Sequence, residues 1–477
     1  MPAIPLLAKL PEVAMPDAQL TSALSHFSTH FNGYIDDLMA CLKIPSISAL
    51  PAHQSDMVNC ANHLASHITA IGLKNVQLLN HNDHPSMVYA DYIVDSKKPT
   101  LLFYGHYDVQ PVDPLDKWES PPFEPEIRHD AIYARGASDN KGMFYAQLKA
   151  LESYLKTSGT LPINVKVIIE GEEEVGSKGL VSGLTKFKDL LKHDALVVSD
   201  SPMFSESQAS ICTGFRGLIY LECHVNAMNH DVHSGQMGGG VPNVIHYCSQ
   251  CIASMKDPKT NIILIPGFYD DVLAHPPFNA TEPVALAHLS QLDDHYRLSD
   301  HANNAFFDNI WYRPTLDCNG ISSGYINEGS KTVIPNTAMF KLSCRLVPNQ
   351  DPKTIIQLVS GYIQDFFPSS FNVRVTSLGP LAKAAHVDEK NPYIQAAIQS
   401  LETTHKMPIL CHGEGGSVPI LAEFQDQFNT PLVLIGLNAP NDNIHAPNER
   451  FRVSHYKNAI ETYIRYLYQI DHSQLNQ

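Results

Sequence analysis

Histidine and carboxylate side chains follow the predicted strands of this chain at the points where those strands end. The set comprises His106, Asp139, the acidic run 170–174, Asp200 and His445. In an open α/β sheet, ligands bind beyond the carboxyl ends of the strands, so we expect these side chains to meet at one edge of the sheet. The pattern therefore predicts a site of imidazole and carboxylate groups that come from distant parts of the chain.

This ligand set suits two divalent cations that share a carboxylate. Three carboxylates and a bridging hydroxide would neutralise the two ions, and burial of highly charged ions demands such neutralisation. Imidazole and carboxylate ligands without thiolate fit zinc, and they also fit manganese or cobalt. Two ions about 3.5–4 Å apart polarise a carbonyl group and lower the pKa of a bridging water to about 7. We therefore expect hydrolytic chemistry.

Each of these residues also has an ordinary structural explanation when it is taken alone. His106 could lie on a solvent-facing side of a strand, Asp139 could cap the following helix, and Asp200 could belong to a turn. The acidic run could be a solvated turn, and His445 could be a surface histidine. Their joint occurrence at strand ends favours the metal site.

The elements that must position this site indicate an α/β domain interrupted by an insertion. Strands and helices alternate before residue 213, which predicts a largely parallel sheet. The pattern changes near 213 and returns near 377, so we predict a first domain in two segments, 1–212 and 377–477, with an inserted domain at 213–376. Predicted helices span 18–42, 57–72, 141–156, 243–255, 353–367, 391–405 and 454–468. Predicted strands span 87–93, 100–104, 164–169, 195–198, 218–225 and 432–435, and two more lie within 330–346.

Composition excludes several classes of protein. The chain has 477 residues, with 33 basic and 49 acidic side chains and a net charge of −16, so it lacks the basic surplus of proteins that bind nucleic acid or anionic membranes. Its apolar content of 44% is too high for a disordered chain. No apolar run is long enough to span a membrane, and the first residues lack the features of a secretory leader.

The nine cysteines have no regular spacing, which favours reduced thiols and a cytoplasmic location. Cys248 and Cys251 form an isolated C-x-x-C pair, which we interpret as buried thiols within a helix.

Six sequence blocks resemble a known enzyme family. The blocks are GHYDVQP, YARGASDNKG, EGEEEVGS, DVHSG, RLVPN and GEGGS, which begin at residues 105, 133, 170, 231, 345 and 413. Together they resemble the co-catalytic zinc metallopeptidase family that includes carnosinase, cytosolic nonspecific dipeptidase, aminoacylase, acetylornithine deacetylase and succinyl-diaminopimelate desuccinylase. The HYDVQP, TVIP, RLVPN and EGGS strings are most similar to the carnosinase-like dipeptidases.

The resemblance implies an α/β catalytic domain, with a mixed, mostly parallel sheet flanked by helices, and an inserted α+β dimerisation or lid domain. It implies a cytoplasmic homodimer that uses two divalent ions, with zinc as the first choice and manganese or cobalt as alternatives. The implied activity is hydrolysis of dipeptides, and the alternative is an N-acyl-amino-acid amidohydrolase. The implied partner is a small peptide, without nucleic acid or membrane. A catalytically dead scaffold is disfavoured because no implied ligand is missing.

The resemblance also implies roles for individual residues. His106, Asp139 and Asp200 would hold one metal, and Asp139, Glu174 and His445 would hold the other. Glu173 would be the general base. Asp108 would orient His106, since metal-bound imidazoles usually donate their second N–H group. The peptide bond after the bridging aspartate is often cis in this family.

The implied substrate contacts lie in other blocks. His233 would reach across the dimer to the tetrahedral intermediate, with His230 as the weaker alternative. Arg345 would clamp the C-terminal carboxylate, a task that suits a guanidinium group. Thr332 and Ser417 could bond to the same end, and Glu414 could accept the free amine. Clamping of both ends would restrict the substrate to dipeptides. His386 and the loop 266–313 are left without an assigned role.

Overall fold

The computed structural model describes residues 18–274, 306–379 and 381–473 of the chain. The helices of these ranges are α1 Ala18–Leu42, α2 Gln54–Ile71, α3 Lys141–Ser158, α4 Lys178–Gly183, α5 Ser234–Met237, α6 Val244–Ser254, α7 Phe306–Trp311, α8 Pro352–Phe366, α9 Pro392–His405, α10 Pro419–Phe428 and α11 Val453–His472. The strands are β1 Lys74–Leu79, β2 Met87–Tyr92, β3 Thr100–His106, β4 Glu126–Arg128, β5 Ala131–Tyr133, β6 Asn164–Glu170, β7 Ala195–Val198, β8 Ser210–Phe215, β9 Gly217–Asn226, β10 Val232–His233, β11 Thr315–Ser323, β12 Val333–Ile334, β13 Thr337–Leu346, β14 Asn372–Ser377, β15 Ala385–His386, β16 Leu410–Glu414, β17 Leu432–Gly436 and β18 Arg450–Arg452.

A large mixed sheet forms the main body of the structure. Its strand order is β1-β2-β6-β3-β7-β17-β8-β15, with β16 beside β8. The central strands β6, β3, β7 and β17 are parallel to one another. The outer strands β1 and β2 on one side and β8 and β15 on the other add antiparallel pairs. The mixed sheet with flanking helices that the resemblance implies is therefore confirmed, and its parallel pairing is concentrated at the centre.

The central strands are largely apolar because both faces of the sheet are covered, as is usual for parallel sheets. In β3 every residue after Thr100 is buried, and all four residues of β7 are buried. Helix α3, whose first eleven residues are all buried, packs against β3, α1 and α11. Since the central strands are parallel, β3, β6, β7 and β17 all end at the same edge of the sheet.

A smaller antiparallel sheet has the order β11-β13-β9-β14. Residues of β9 alternate between buried and half-buried, which is the pattern of a strand with one face on a core. Helices α6 and α8 pack on this sheet, and their apolar residues form a hydrophobic cluster separate from that of the large sheet. This sheet is the α+β unit expected between the two halves of the large sheet. The exact division at 213 and 376 stays a prediction.

The structure also bears on the predicted buried thiols and on the absence of a membrane span in the described ranges. Cys248 and Cys251 are both fully buried in α6, within the hydrophobic cluster of the small sheet, so the interpretation as buried thiols is confirmed. In the described ranges, no helix combines the length and the hydropathy that crossing a bilayer requires.

Candidate metal centre

The residues that the sequence predicts at strand ends do come together at one edge of the large sheet. His106 is the last residue of β3, and Asp200 follows β7 by two positions. Glu173 and Glu174 open the short 3-10 turn after β6. Asp139 lies two residues before α3, and His445 lies in the loop between β17 and β18.

These residues form two adjacent groups. The ligand atoms of His106, Glu173 and Asp200 all lie within 4.8 Å of one another. The ligand atoms of Asp139, Glu174 and His445 form the second group at the same spacing. Each group has one imidazole and two carboxylates, which is a donor set suited to a divalent ion such as zinc.

Asp139 connects the two groups. Its Oδ1 atom lies 3.1 Å from His106 Nε2, and its Oδ2 atom lies 2.9 Å from His445 Nε2. The carboxylate therefore presents one oxygen to each histidine. The peptide bond between Asp139 and Asn140 is cis, as the resemblance implies. This geometry is the one that a shared carboxylate between two cations requires.

Asp108 supports the centre in two ways. The carbonyl oxygen of Asp108 lies 3.1 Å from His106 Nδ1, and its carboxylate lies 3.4 Å from the same atom. The carboxylate also accepts hydrogen bonds from the backbone N–H groups of Glu173 at 3.2 Å and Glu174 at 3.1 Å, and from the Ser48 hydroxyl at 2.7 Å. Asp108 thus holds the turn that carries both glutamates, a contact that sequence reasoning missed.

Two amide side chains were also missed. Gln110 donates a hydrogen bond to Glu174 Oε2 at 2.7 Å. Asn140 donates to Asp200 Oδ1 at 3.3 Å and to the carbonyl oxygen of Ser199 at 2.8 Å. Both amides lie in the blocks GHYDVQP and YARGASDNKG, which contain His106 and Asp139, and their proximity in sequence to those residues is the signal that could have identified them.

The centre concentrates negative charge in a buried place. Burial raises the pKa of Asp200 to about 7 and raises the pKa of Glu173 well above its usual range. Hydrogen bonds with Asp139 and Glu174 raise the pKa of His445 to about 10. Burial lowers the pKa of His106, but the carboxylates around it outweigh burial, and the pKa is raised well above its usual range. The metal-free centre therefore retains protons near neutral pH.

The residues present fit a pair of divalent ions. Within the described ranges, no lysine or arginine forms an ion pair with the carboxylates of Asp139, Glu173, Glu174 or Asp200. His106 Nε2 is buried without a well-directed hydrogen bond, although carboxylates surround it. Buried carboxylates at this density need positive charge, and imidazole nitrogens aimed into the same space are neutral ligands for it.

Metal binding is expected to release protons and to strengthen as the pH rises from about 6 to about 8, because these ligands bind an ion only when deprotonated. The carboxyl of Asp200 and the imidazolium of His445 hold protons in the metal-free chain, and a cation must displace them. Titration of zinc into metal-free protein, by calorimetry in buffers of different ionisation enthalpy, measures the released protons. An affinity that does not change over this pH range would contradict the assignment.

Three of the predicted substrate residues lie together where the two sheets meet. Arg345 of β13 donates a hydrogen bond from Nη1 to the Ser417 hydroxyl at 2.8 Å. That hydroxyl donates to the carbonyl oxygen of Arg216 at 2.5 Å. Glu414 ends β16 and accepts the N–H of Gly416 at 3.0 Å. The half-buried guanidinium of Arg345 and the carboxylate of Glu414 thus offer a cation and an anion from the small and the large sheet.

The other two predicted substrate residues lie elsewhere. His233 pairs with Val333 across the β10–β12 ladder, and its Nε2 atom lies 3.2 Å from the Thr332 hydroxyl. Both side chains are exposed, and in the described ranges neither forms a hydrogen bond with the metal centre or with Arg345. The structure therefore separates Thr332 from Ser417, although the sequence predicts that they act at the same end of the substrate.

Two open points of the sequence analysis stay open. His386 lies exposed in β15, where its backbone pairs with Gly214 of β8. The segment 275–305, which is most of the loop 266–313, lies outside the described residues.

Comparison with known proteins identifies the family of the chain. The profile of the peptidase family M20/M25/M40 matches residues 102–469. The chain is similar to the Beta-Ala-His dipeptidase of Homo sapiens, with 29% identity and with 92% of this chain and 90% of the relative covered. It is also similar to a Cys-Gly metallodipeptidase of Candida albicans, with 28% identity and with 91% of this chain and 94% of the relative covered.

A solved structure has the same fold. The crystal structure of an M20 family metallo-carboxypeptidase from Sulfolobus solfataricus matches with a TM-score of 0.79 and 31% identity, and the match covers 92% of this chain and 99% of that one. The family profile spans the whole candidate metal centre, from His106 to His445. The chain therefore belongs to the peptidase family M20/M25/M40.

Proposed function

We propose that this hydrolase is a dinuclear metal-dependent dipeptidase of the cytoplasm, active as a homodimer, with zinc as the native metal and manganese or cobalt as functional substitutes. The observation that carries the proposal is the position of Asp139, whose two carboxylate oxygens face two different histidines. The names of two relatives, a Beta-Ala-His dipeptidase and a Cys-Gly metallodipeptidase, support dipeptides as the substrate class.

The metal ligands are proposed as two sets that share one carboxylate. His106 and Asp200 would hold one ion together with Asp139, and Glu174 and His445 would hold the other ion together with Asp139. When bound, the two ions would polarise the peptide carbonyl and lower the pKa of an attacking water to about 7. His445 has a side chain that is 53% exposed, so substrate would approach from its side of the centre.

Glu173 is the proposed general base. It accepts a proton from the attacking water at its carboxylate and then donates that proton to the amine nitrogen as the peptide C–N bond breaks. Its carboxylate lies beside the ligand atoms of His106 and Asp200, so it is within reach of a water at the centre. The hydrogen bond from its own backbone N–H to Asp108 holds it there.

Substrate length is proposed to be set by charges at both ends of the pocket. Arg345 binds the C-terminal carboxylate, for which a guanidinium offers two parallel N–H groups. The hydroxyl of Ser417 orients that guanidinium through the bond to its Nη1 atom. Glu414 accepts the free α-amine. Clamping of both ends would restrict the substrate to dipeptides.

His233 is proposed to stabilise the tetrahedral intermediate in the partner subunit, with Thr332 beside it. Preorganised donors aimed at the developing oxyanion contribute strongly to such reactions. Both side chains are exposed on the small sheet and are bonded to each other rather than to the metal centre of their own chain. This placement supports an action in trans.

Mixing two inactive variants tests the action in trans. His233→Ala and Arg345→Ala homodimers are each expected to be nearly inactive. In a heterodimer one site receives both intact residues, so a randomly reassembled mixture should recover about a quarter of the wild-type activity for a C2 dimer. Activity of refolded or subunit-exchanged mixtures measures this recovery.

The matched control is a mixture of Arg345→Ala with Glu173→Ala. Both residues serve their own subunit in the proposal, so every heterodimer site keeps one defect and no activity returns. Equal recovery in the two mixtures, or no recovery in either, would remove the support for a shared site.

The alternative function is an N-acyl-amino-acid amidohydrolase, which needs the same metals but no acceptor for a free amine. The similarity to a solved metallo-carboxypeptidase is a second reason to test peptides longer than a dipeptide. The deciding experiment is turnover of Ala-Ala, N-acetyl-Ala and Ala-Ala-Ala by metal-reloaded protein. The dipeptidase proposal expects Ala-Ala to have the highest kcat/KM. A preference for N-acetyl-Ala or for the tripeptide would overturn it.

A further inference from the structure

A buried carboxylate outside the metal centre binds the loop that presents Asp139. The side chain of Glu449 is 1% exposed. Its Oε1 atom accepts the backbone N–H groups of Ser138 and Asp139, each at 2.9 Å. Its Oε2 atom accepts the N–H of Gly136 at 2.9 Å and the Arg135 guanidinium at 2.8 Å. All four contacts are therefore with donors, as an ionised carboxylate requires.

Arg135 neutralises the charge of the Glu449 carboxylate and links it to a third chain segment. The guanidinium is 1% exposed, and its Nη2 atom donates to the carbonyl oxygen of Pro111 at 3.0 Å. A buried ion pair adds no net charge to the neighbouring centre. Glu449 is thus held in place by a partner that does not depend on any metal.

The loop that receives these bonds has no regular structure to hold it. Gly136 has a φ of +81°, and a Cβ atom there would lie 2.7 Å from Val109 Cγ1. Few backbone groups of this loop have partners in a helix or a strand, so the Glu449 carboxylate replaces a strand neighbour for the N–H groups of Gly136, Ser138 and Asp139. The main chain of Glu449 adds a fourth hydrogen bond to the backbone of this loop, because its carbonyl oxygen accepts the N–H of Ala134 at 3.1 Å.

Glu449 also lies four residues after His445, on the same loop. The bonds to the 134–139 loop therefore join the two chain segments that carry Asp139 and His445, whose side chains meet at 2.9 Å. A shift of either segment would separate these two ligands. In this way one side chain controls the relative position of groups that are 306 residues apart in the sequence.

We propose that Glu449 is a positioning residue for the metal centre, which sets the backbone of Asp139 before any metal binds and so preorganises the shared carboxylate. The inference rests on the metal site of the proposed function, but not on the choice of peptide substrate. Outer contacts that orient metal ligands are usually worth 10- to 100-fold in affinity.

The test is the affinity of metal-free Glu449→Gln for Co²⁺, measured by the absorption of the bound ion and by calorimetry. Glutamine has the same size, but its amide N–H₂ group would face backbone donors. We expect about 10- to 100-fold weaker binding and an altered Co²⁺ spectrum. The matched control is Asp91→Asn, because Asp91 is another buried carboxylate, bonded to Tyr89 at 2.9 Å and Asn75 at 2.8 Å, near the opposite edge of the sheet.

The outcomes separate this inference from the proposed function. If the wild-type protein binds no Co²⁺, the metal site itself is wrong. If wild type and Glu449→Gln bind it equally, the positioning role is wrong. A second measurement decides the case if the variant does not fold: in metal-free wild type, the amides of Gly136, Ser138 and Asp139 should be protected from hydrogen exchange. Fast exchange of these amides would overturn the inference.

Discussion

Glu173→Gln is expected to lower kcat by about 10³-fold, within the range that loss of a general base costs, while both metal ions remain bound. The amide keeps the size of the side chain but cannot take a proton from water at neutral pH. Burial of the native carboxyl raises its pKa, which favours proton uptake during the reaction. Steady-state kinetics with Ala-Ala, together with metal analysis of the same sample, measure the two effects separately.

The neighbouring Glu172 provides a matched control in the same turn. Its carboxylate points away from the centre, to His84 Nδ1 at 2.9 Å and to the N–H of Gly179 at 2.8 Å. Glu172→Gln should therefore keep kcat within about threefold, as expected for a side chain without a proton-transfer role. Near-normal turnover in Glu173→Gln would show that another group is the base. Loss of one metal in that variant would instead identify Glu173 as a ligand.

Asp139→Asn is expected to lower the metal content from two ions to one or none and to reduce kcat/KM by more than the ~100-fold that loss of an outer contact costs. The reason is geometric, because each Asp139 oxygen faces a different histidine and asparagine keeps only one of the two oxygens. Metal analysis after dialysis and the Co²⁺ spectrum of the reloaded variant measure the loss.

The metal content of Asp200→Asn is the control for the metal content of Asp139→Asn. Among the described residues, His106 is the one histidine that forms an ion pair with Asp200, at 3.9 Å, and Asp200 also accepts a hydrogen bond from Asn140. Its loss should weaken one ion and leave the second bound. If Asp139→Asn and Asp200→Asn lose the same single ion, Asp139 belongs to one metal only, and a shared carboxylate is excluded.

The sequence predicts the gathering of the proposed ligands at one edge of the sheet, because each of their positions depends on a local rule. A buried run of apolar residues ends, and a residue with metal-binding chemistry follows, as with Asp200 after β7. Parallel pairing of the central strands then places the carboxyl ends of these strands at one edge of the sheet. Strand β3 continues two residues beyond its predicted end and includes His106, because its ladder with β6 extends to Glu170.

The contacts around the ligands could not be predicted in the same way. Glu449 meets the 134–139 loop across more than 300 residues of sequence, and nothing in its immediate neighbours indicates a buried carboxylate. The pairing of Thr332 with His233 depends on the β10–β12 ladder, which is too short to have a periodic pattern. Such contacts follow from tertiary packing, which local sequence propensity does not predict.

The position of His445 has a consequence for biosynthesis. Strand β17, His445 and Glu449 all lie beyond the small sheet in chain order, whereas His106, Asp139 and Asp200 lie before it. Domains fold as units while the chain is being made, starting from the amino-terminal side. A nascent polypeptide that has emerged only as far as α8 lacks His445. It also lacks Glu449, which binds the backbone of Asp139. The proposed centre would therefore acquire its full complement of ions late in translation or after release from the ribosome.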